Sequence, residues 1–205
     1  MSTVFALIAG YVCGSFPSAY LAGRLVKGID LRQAGSGNLG ATNVYRVVGA
    51  PAAVVVLALD ALKGWVAVTA VPQLFALGAS EWWPVALGAA AVLGHAKPVF
   101  LLWHGGGKGV ATGAGVFLAL APEAVGIATV AFVVVVALTR YVSAGSVAAA
   151  AVLPIAIMLR RGATAPVFLA AAFIGAFVIW SHRDNITRLR RGEEHKIGRP
   201  GQGTA

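Results

Sequence analysis

The chain is poor in charge and poorest in acid. Only 11% of its 205 residues are charged, and only seven are Asp or Glu, whereas about a quarter of an ordinary soluble domain is charged. So few carboxylates make a multi-carboxylate metal centre hard to build, which disfavours Mg²⁺-dependent phosphotransfer. We therefore expect a protein that uses no metal ion, and we expect no other cofactor.

Cysteine is also scarce. Cys13 is the single cysteine and lies within an apolar run. The chain therefore forms no internal disulfide, and cysteine usage does not constrain the compartment that its loops face.

Apolar residues dominate, at 59% of the chain with a mean hydropathy of +0.82. A membrane helix needs about 20 mostly apolar residues, or fewer where it crosses only part of the bilayer. The composition predicts an all-α integral membrane protein with seven transmembrane helices, residues 1–198 forming one domain and residues 199–205 a flexible tail. The predicted spans are Val4–Leu21, Pro51–Val71, Pro84–Leu102, Val110–Ala121, Ala124–Thr139, Val142–Leu159 and Ala165–Trp180.

The net charge of +9 indicates how the chain lies in the membrane. If the helix is interrupted at Pro122-Glu123, thirteen of the sixteen basic residues lie on one side, whereas one long helix would divide them evenly. The positive-inside rule then predicts an N-terminus outside and a C-terminus in the cytoplasm. Arg160 and Arg161 are the exceptions to this bias. The excess charge thus points to membrane lipids as partners and not to nucleic acid.

The first candidate anion-binding segment runs from residue 35 to residue 46. Its glycines can turn backbone N–H groups toward an anion, and Arg46 can add planar, bidentate positive charge. A glycine-rich turn between helices explains the same residues equally well. The other candidate phosphate contacts in this segment are Gly35, Ser36, Gly37, Asn38, Gly40, Thr42 and Asn43.

The second segment is a glycine run that enters an apolar helix at residues 104–112. Gly109 follows Lys108 where a nucleotide P-loop has Ser or Thr, and no βαβ pattern surrounds it, so ATP binding is disfavoured. Backbone amides at a helix N-terminus beside a lysine still suit a phosphate. A flexible hinge is the alternative. The candidate contacts are Gly106, Gly107, Lys108, Gly109 and Thr112.

The third segment, residues 181–194, follows the last span. If the helix continues, His182 and Asn185 share one face, and both are candidates for substrate contact. We interpret the arginines at 188, 190 and 191 as charge facing anionic lipid. Within the spans, Asp60 and Lys63 are expected to pair at i, i+3 spacing and neutralise each other, and a functional role of these intramembrane charges is the alternative. His95 suits a ligand contact and a helix contact equally.

The usual catalytic signatures of lipid enzymes are missing. The chain has no G-x-S-x-G motif, and no histidine is followed five positions later by aspartate, the pattern of the common glycerolipid acyltransferases. The residues at those positions are Phe100, Gly109, Thr187 and Pro200. A membrane transporter of phosphate or an organophosphate stays open as a second class, although no internal repeat supports it.

Three blocks occur in order: GSGNLGATNVYR, GGGKGVAT and HRDNITRLRRGEEHKIG. Together with Gly14–Pro17, Asp60–Gly64 and Arg140–Ser143, they make the chain resemble the bacterial acyl-phosphate:glycerol-3-phosphate acyltransferase (PlsY) family. The resemblance implies transfer of an acyl chain from acyl phosphate to the 1-hydroxyl of glycerol 3-phosphate, which yields lysophosphatidic acid and inorganic phosphate. It also implies a multi-pass protein of the bacterial inner membrane, with its active site facing the cytoplasm and an acyl-phosphate-producing enzyme as a partner.

The resemblance further implies which residues act. By motif position, the catalytic, substrate-contacting set is Ser36, Arg46, Lys108, His182 and Asn185. The remaining candidates of the first two segments support the phosphates. Either the acyl phosphate's own oxygen or His182 takes up the proton.

Overall fold

The computed structural model describes residues 2–198, and these residues form helices, turns and loops without any strand. The tail predicted at residues 199–205 lies outside the described residues. The helices are α1 (Ser2–Gly14), α2 (Ser18–Lys27), α3 (Ala41–Val47), α4 (Ala50–Leu74), α5 (Trp82–Ala96), α6 (Val110–Leu120), α7 (Pro122–Thr139), α8 (Val142–Arg161), α9 (Pro166–Ser181) and α10 (Arg183–Arg191).

Within residues 2–198, five helical segments are long and apolar enough to cross a membrane. They are Ser2–Lys27, Ala50–Leu74, Trp82–Leu101, Pro122–Thr139 and Val142–Arg161. The pair α9 and α10, bent by 53°, adds a sixth if it counts as one span. The 11 residues of α6 extend about 16 Å at 1.5 Å per residue, roughly half of a hydrocarbon core. The all-α multi-pass fold is thus confirmed, and every predicted span contains a helix.

The first predicted span, Val4–Leu21, is not one continuous helix. It breaks at Ser15–Pro17, because Pro17 has no N–H to donate and its ring restricts the residue before it. The break leaves the carbonyl of Phe16 outside the regular helical pattern, and that oxygen accepts a hydrogen bond from Lys63 Nζ at 3.0 Å. The sequence break therefore creates a polar contact inside the membrane domain.

The chain divides into two compact units, Met1–Leu120 and Ala121–Ala205. In the first unit, helices approach each other closely at glycine positions, where no side chain separates the two backbones. A Cβ at Gly14 would overlap the backbone of Ala91, and a Cβ at Gly64 would overlap the carbonyl of Thr112. Such close approach is typical of small residues in membrane helices, and it fixes α4 against α6, the helix that follows the second polar segment.

In the second unit, α8 packs against both α7 and α9. Arg140, in the left-handed conformation (φ 65°), ends α7, and α8 begins two residues later. At the far end of this pair, Arg161 lies 3.4 Å from Glu123, so one of the two exceptional arginines has an acidic partner. After α10 the chain returns to the turn between α7 and α8, where Ile197 N donates to the carbonyl of Arg140 at 2.8 Å.

Candidate functional site

The first glycine segment is an ordered structure and not a loose turn. Asn43 is 1% exposed; its Oδ1 accepts the Ser36 N–H at 2.9 Å, and its Nδ2 donates to the carbonyl of Ala34 at 3.0 Å. Gly35 has φ +61°, and a Cβ there would collide with the Asn43 amide. The structure therefore uses Asn43 to hold the loop, which a ligand-contact interpretation did not foresee.

The second half of that segment is helical, because α3 begins at Ala41 after the extended Gly40. Arg46 lies in the last turn of α3 and is exposed, whereas Thr42 in the first turn is half-buried. Ser36 is exposed and Asn38 is half-buried in the preceding loop. The polar candidates are thus spread over a loop and one short helix.

The two glycine segments are joined by hydrogen bonds. Leu39 N donates to the carbonyl of Gly106 at 3.1 Å, and Arg32 donates to the carbonyl of His104 at 3.2 Å. The second segment then leads directly into α6, with Lys108 half-buried just before the helix begins. The structure therefore brings the first two predicted segments together in one place.

An ion pair just before the first segment supports this arrangement, and the sequence analysis did not predict it. The guanidinium of Arg32 donates to both carboxylate oxygens of Asp30, at 3.0 and 2.6 Å, and the Asp30 carboxylate also accepts the backbone N–H of Arg32. The side-chain hydrogen bond from Arg32 lowers the pKa of Asp30 to about 2. The two residues are only two positions apart, and this spacing alone gave no signal of the Arg32 contact to residue 104.

A buried polar cluster of four residues lies in the same unit. Lys63 Nζ is 2.8 Å from Asp60 Oδ1, which confirms the predicted pair. The same oxygen accepts the hydroxyl of Ser18 at 2.6 Å and lies 3.7 Å from His95 Nδ1. A charge inside the membrane domain is costly unless it is paired, and Asp60 and Lys63 neutralise each other here.

The third segment does not continue the last span as a straight helix. α9 ends at Ser181 and α10 begins at Arg183, with a bend of 53° at His182. His182 is 4% exposed and Asn185 is 7% exposed. His182 Nδ1 lies 2.8 Å from the carbonyl oxygen of Val178. Because a carbonyl can only accept, Nδ1 carries the hydrogen and Nε2 is the basic nitrogen of the neutral ring.

Glu194 organises this second-unit site, although it was not among the predicted site residues. Its Oε1 accepts the Ser143 hydroxyl at 2.8 Å and Asn185 Nδ2 at 2.6 Å, and its Oε2 accepts Arg188 Nε at 2.8 Å. Burial raises the pKa of the carboxyl, but the hydrogen bonds from Asn185, Arg188 and Ser143 outweigh it, so the pKa is lowered overall. The sequence gives no sign of this role, because Glu193 is the same residue type at the next position and is exposed, whereas Glu194 is buried.

We expect Glu194→Gln to destabilise the protein at neutral pH, because it removes the charge that accepts three hydrogen bonds. Hydrogen bonds to charged groups contribute about 1.5–3 kcal/mol each. Since the folded pKa is lowered, the stabilisation is complete above the unfolded pKa and is lost as pH falls through the folded value. The melting temperatures of the two proteins in detergent should therefore converge on acidification. A difference that stays constant down to the acid limit would contradict this role.

Fold and site together define a class: a multi-pass α-helical membrane protein with ordered, cation-flanked glycine loops suited to an anion. Known proteins narrow the class. The family model described as glycerol-3-phosphate acyltransferase matches residues 4–192. Two proteins named glycerol-3-phosphate acyltransferase are similar: one from Prochlorococcus marinus (strain NATL1A), 44% identical over 95% of this chain and 98% of its own length, and one from Synechococcus sp. (strain CC9902), 46% identical over 98% of both.

Solved structures agree. A crystal structure of PlsY, an integral membrane glycerol 3-phosphate acyltransferase, in its glycerol 3-phosphate form has a TM-score of 0.88 and 39% identity, covering 97% of this chain and 96% of that one. Its lysophosphatidic acid form gives a TM-score of 0.85 and 38% identity over the same shares. The chain belongs to the glycerol-3-phosphate acyltransferase family, as the sequence resemblance predicted.

Proposed function

We propose that this protein transfers an acyl chain from acyl phosphate to the 1-hydroxyl of glycerol 3-phosphate. The products are lysophosphatidic acid and inorganic phosphate. The observation that carries the proposal is the pair of ordered glycine segments, joined through Leu39 and Gly106 and followed by Lys108. Family membership supports it, as do the glycerol 3-phosphate and lysophosphatidic acid forms of the similar PlsY structure.

The reaction needs little from the protein beyond binding and charge neutralisation. The hydroxyl oxygen attacks the carbonyl carbon of the mixed anhydride, the carbon–oxygen bond to phosphate breaks, and phosphate leaves. The leaving phosphate accepts the hydroxyl proton in our proposal, so no protein nucleophile is required. Holding the two substrates in reacting geometry can supply about 7–11 kcal/mol of the barrier. Amides, hydroxyls and cations perform this task.

We divide the candidate residues by substrate. Ser36, Lys108 and the glycine amides bind the acyl-phosphate head, and Arg46, His182 and Asn185 bind glycerol 3-phosphate. Thr112, in the first turn of α6, is fully buried, and its hydroxyl has no hydrogen-bond partner within the described residues. The supporting set is Gly35, Gly37, Asn38, Gly40, Thr42, Asn43, Gly106, Gly107, Gly109 and Thr112, with Asn43 acting through the loop that it holds.

We also propose a topology of seven spans, with α6 crossing only part of the bilayer. The N-terminus then lies outside, and the C-terminus and the active site face the cytoplasm of a bacterial inner membrane. The bias of the basic residues supports this orientation. Arg161, one of the two basic residues on the opposite side, is paired with Glu123, which offsets its charge. Residues 1–198 act as one functional domain. A partner that makes acyl phosphate would supply the donor.

Catalysis should not depend on a metal ion, because the chain's acids are few and several are already paired with cations. Asp30 is bound to Arg32, Asp60 to Lys63 and Glu194 to Arg188. We expect full activity in excess EDTA, measured as lysophosphatidic acid formed per minute by purified protein. A loss of activity that Mg²⁺ restores would overturn the metal-independent mechanism.

An enzyme and a transporter of organophosphate are separated by the fate of labelled glycerol 3-phosphate. With acyl phosphate present, purified protein in detergent should convert the label into a lipid that partitions into organic solvent. Proteoliposomes without acyl phosphate should accumulate no label above protein-free vesicles. Saturable uptake without lipid formation would favour the transporter and contradict the proposal.

A further inference from the structure

His95 connects the buried polar cluster of the first unit to the second glycine segment. Polar side chains from three helices lie around the Asp60 carboxylate: Ser18 of α2, Lys63 of α4 and His95 of α5. All four side chains are at least nine-tenths buried. Because Asp60 and Lys63 carry opposite charges, the pair adds no net charge and can fix geometry without repelling an anionic substrate.

His95 meets the glycine segment with both its backbone and its ring. Its carbonyl accepts the Gly107 N–H at 3.1 Å. A Cβ built on Gly107 would collide with His95 Nε2 on one side and come within 2.8 Å of the Leu39 carbonyl on the other. The backbone of Gly107 is therefore held between the imidazole and the first glycine segment, one residue before Lys108.

The cluster and the glycine segments also line one small, open recess. Its wall includes Ser18, Lys63 and His95 from the cluster, together with Leu39 and Gly106 from the two glycine segments. A shift of the His95 imidazole would therefore displace the loop backbone that lines the same recess.

We propose that His95 is a positioning residue for the loop that presents Lys108, and that Asp60 orients the His95 ring. Asp60 faces Nδ1, so the ring directs its opposite edge against Gly107 and sets where the next residue places its ammonium group. This inference rests on the proposed function, in which that loop binds acyl phosphate. Misplacing a substrate-binding group by about 1 Å can cost about 10²-fold in rate.

Two substitutions separate positioning from general support of the fold. The side chain of His95→Asn keeps a hydrogen-bond donor near the Nδ1 position but is too short to reach Gly107. The side chain of His95→Gln reaches the Nε2 position and should preserve the contact. We expect His95→Asn to raise the KM for acyl phosphate and lower kcat, together about 10²-fold in kcat/KM, with the KM for glycerol 3-phosphate unchanged. His95→Gln should recover most of that loss.

The readout does not depend on yield, because KM is independent of the fraction of folded enzyme. Leu93→Ala, on the exposed face of the same helix, serves as the matched control and should resemble wild type. Equal rises in both KM values, or an acyl-phosphate KM within twofold of wild type in His95→Asn, would overturn the proposal. Inactivity of both the Asn and Gln variants would also overturn it, because the ring would then act directly. Wild-type turnover in the same assay reports separately on the proposed function.

Discussion

Lys108→Ala and Arg46→Ala should each lower kcat/KM by about 10²-fold or more. Each substitution removes a cation that we assign to a substrate phosphate. Truncating one partner of a charged, hydrogen-bonded contact costs about 2–5 kcal/mol, and each 1.36 kcal/mol is tenfold in rate. The measurement is initial velocity with both substrates varied, on protein whose melting temperature matches wild type.

Two exposed cations provide matched controls. Lys97 precedes the second glycine segment, and its side chain is exposed, as is that of Arg190 on α10. Lys97→Ala and Arg190→Ala should change activity little, because neither residue is placed at a substrate phosphate. Equal losses for the site and control variants would show only a general need for positive charge, and would contradict the assignment of Lys108 and Arg46.

His182→Gln should retain measurable kcat with a raised KM. Glutamine keeps a hydrogen-bonding group at similar reach, and in our proposal the leaving phosphate, not the imidazole, takes up the proton. The pH–rate profile should then keep any acidic limb, since no histidine with a reference pKa of about 6.5 would control it. The measurement is kcat across pH for wild type and variant at saturating substrate.

The competing mechanism makes an opposite forecast for the same variant. If Nε2 of His182 is the general base, glutamine cannot replace it, and kcat should fall by about 10²–10⁴-fold with loss of the acidic limb. The hydrogen bond from Nδ1 to Val178 leaves Nε2 basic, so the geometry permits this chemistry. Asp184→Asn, an exposed change in the first turn of α10, controls for local disturbance. A collapse of kcat would overturn the substrate-assisted mechanism but would not affect the assignment of the chain to the acyltransferase family.

Local pattern predicted most helices and one ion pair. α8 begins at Val142 as expected, because the apolar run there is long and its flanks are polar. The pair of Asp60 and Lys63 followed from their i, i+3 spacing. Two short features were missed. Hydropathy alone does not register the helix break at Pro17, because the residues around it are mostly apolar. The seven residues of α3 are too few to give a periodic signal.

The organisation of the site was beyond prediction from the sequence because it depends on distant contacts. The bond from Leu39 to Gly106 joins residues 67 positions apart, and no spacing rule indicates it. Glu194 illustrates the same limit, since it lies in a strongly charged stretch and its importance arises from burial against Ser143 and Asn185. The sequence thus supplied the candidate residue types, and the fold determined which of them hold the others in place.

Donor specificity tests the central claim most directly. Purified protein should be incubated with labelled glycerol 3-phosphate and, in parallel, acyl phosphate or an acyl thioester of the same chain length. Lysophosphatidic acid and inorganic phosphate are then quantified together. Our account predicts turnover with acyl phosphate, one phosphate released per lysophosphatidic acid formed, and little product with the thioester. Equal turnover with the thioester, or product formed without stoichiometric phosphate, would contradict it.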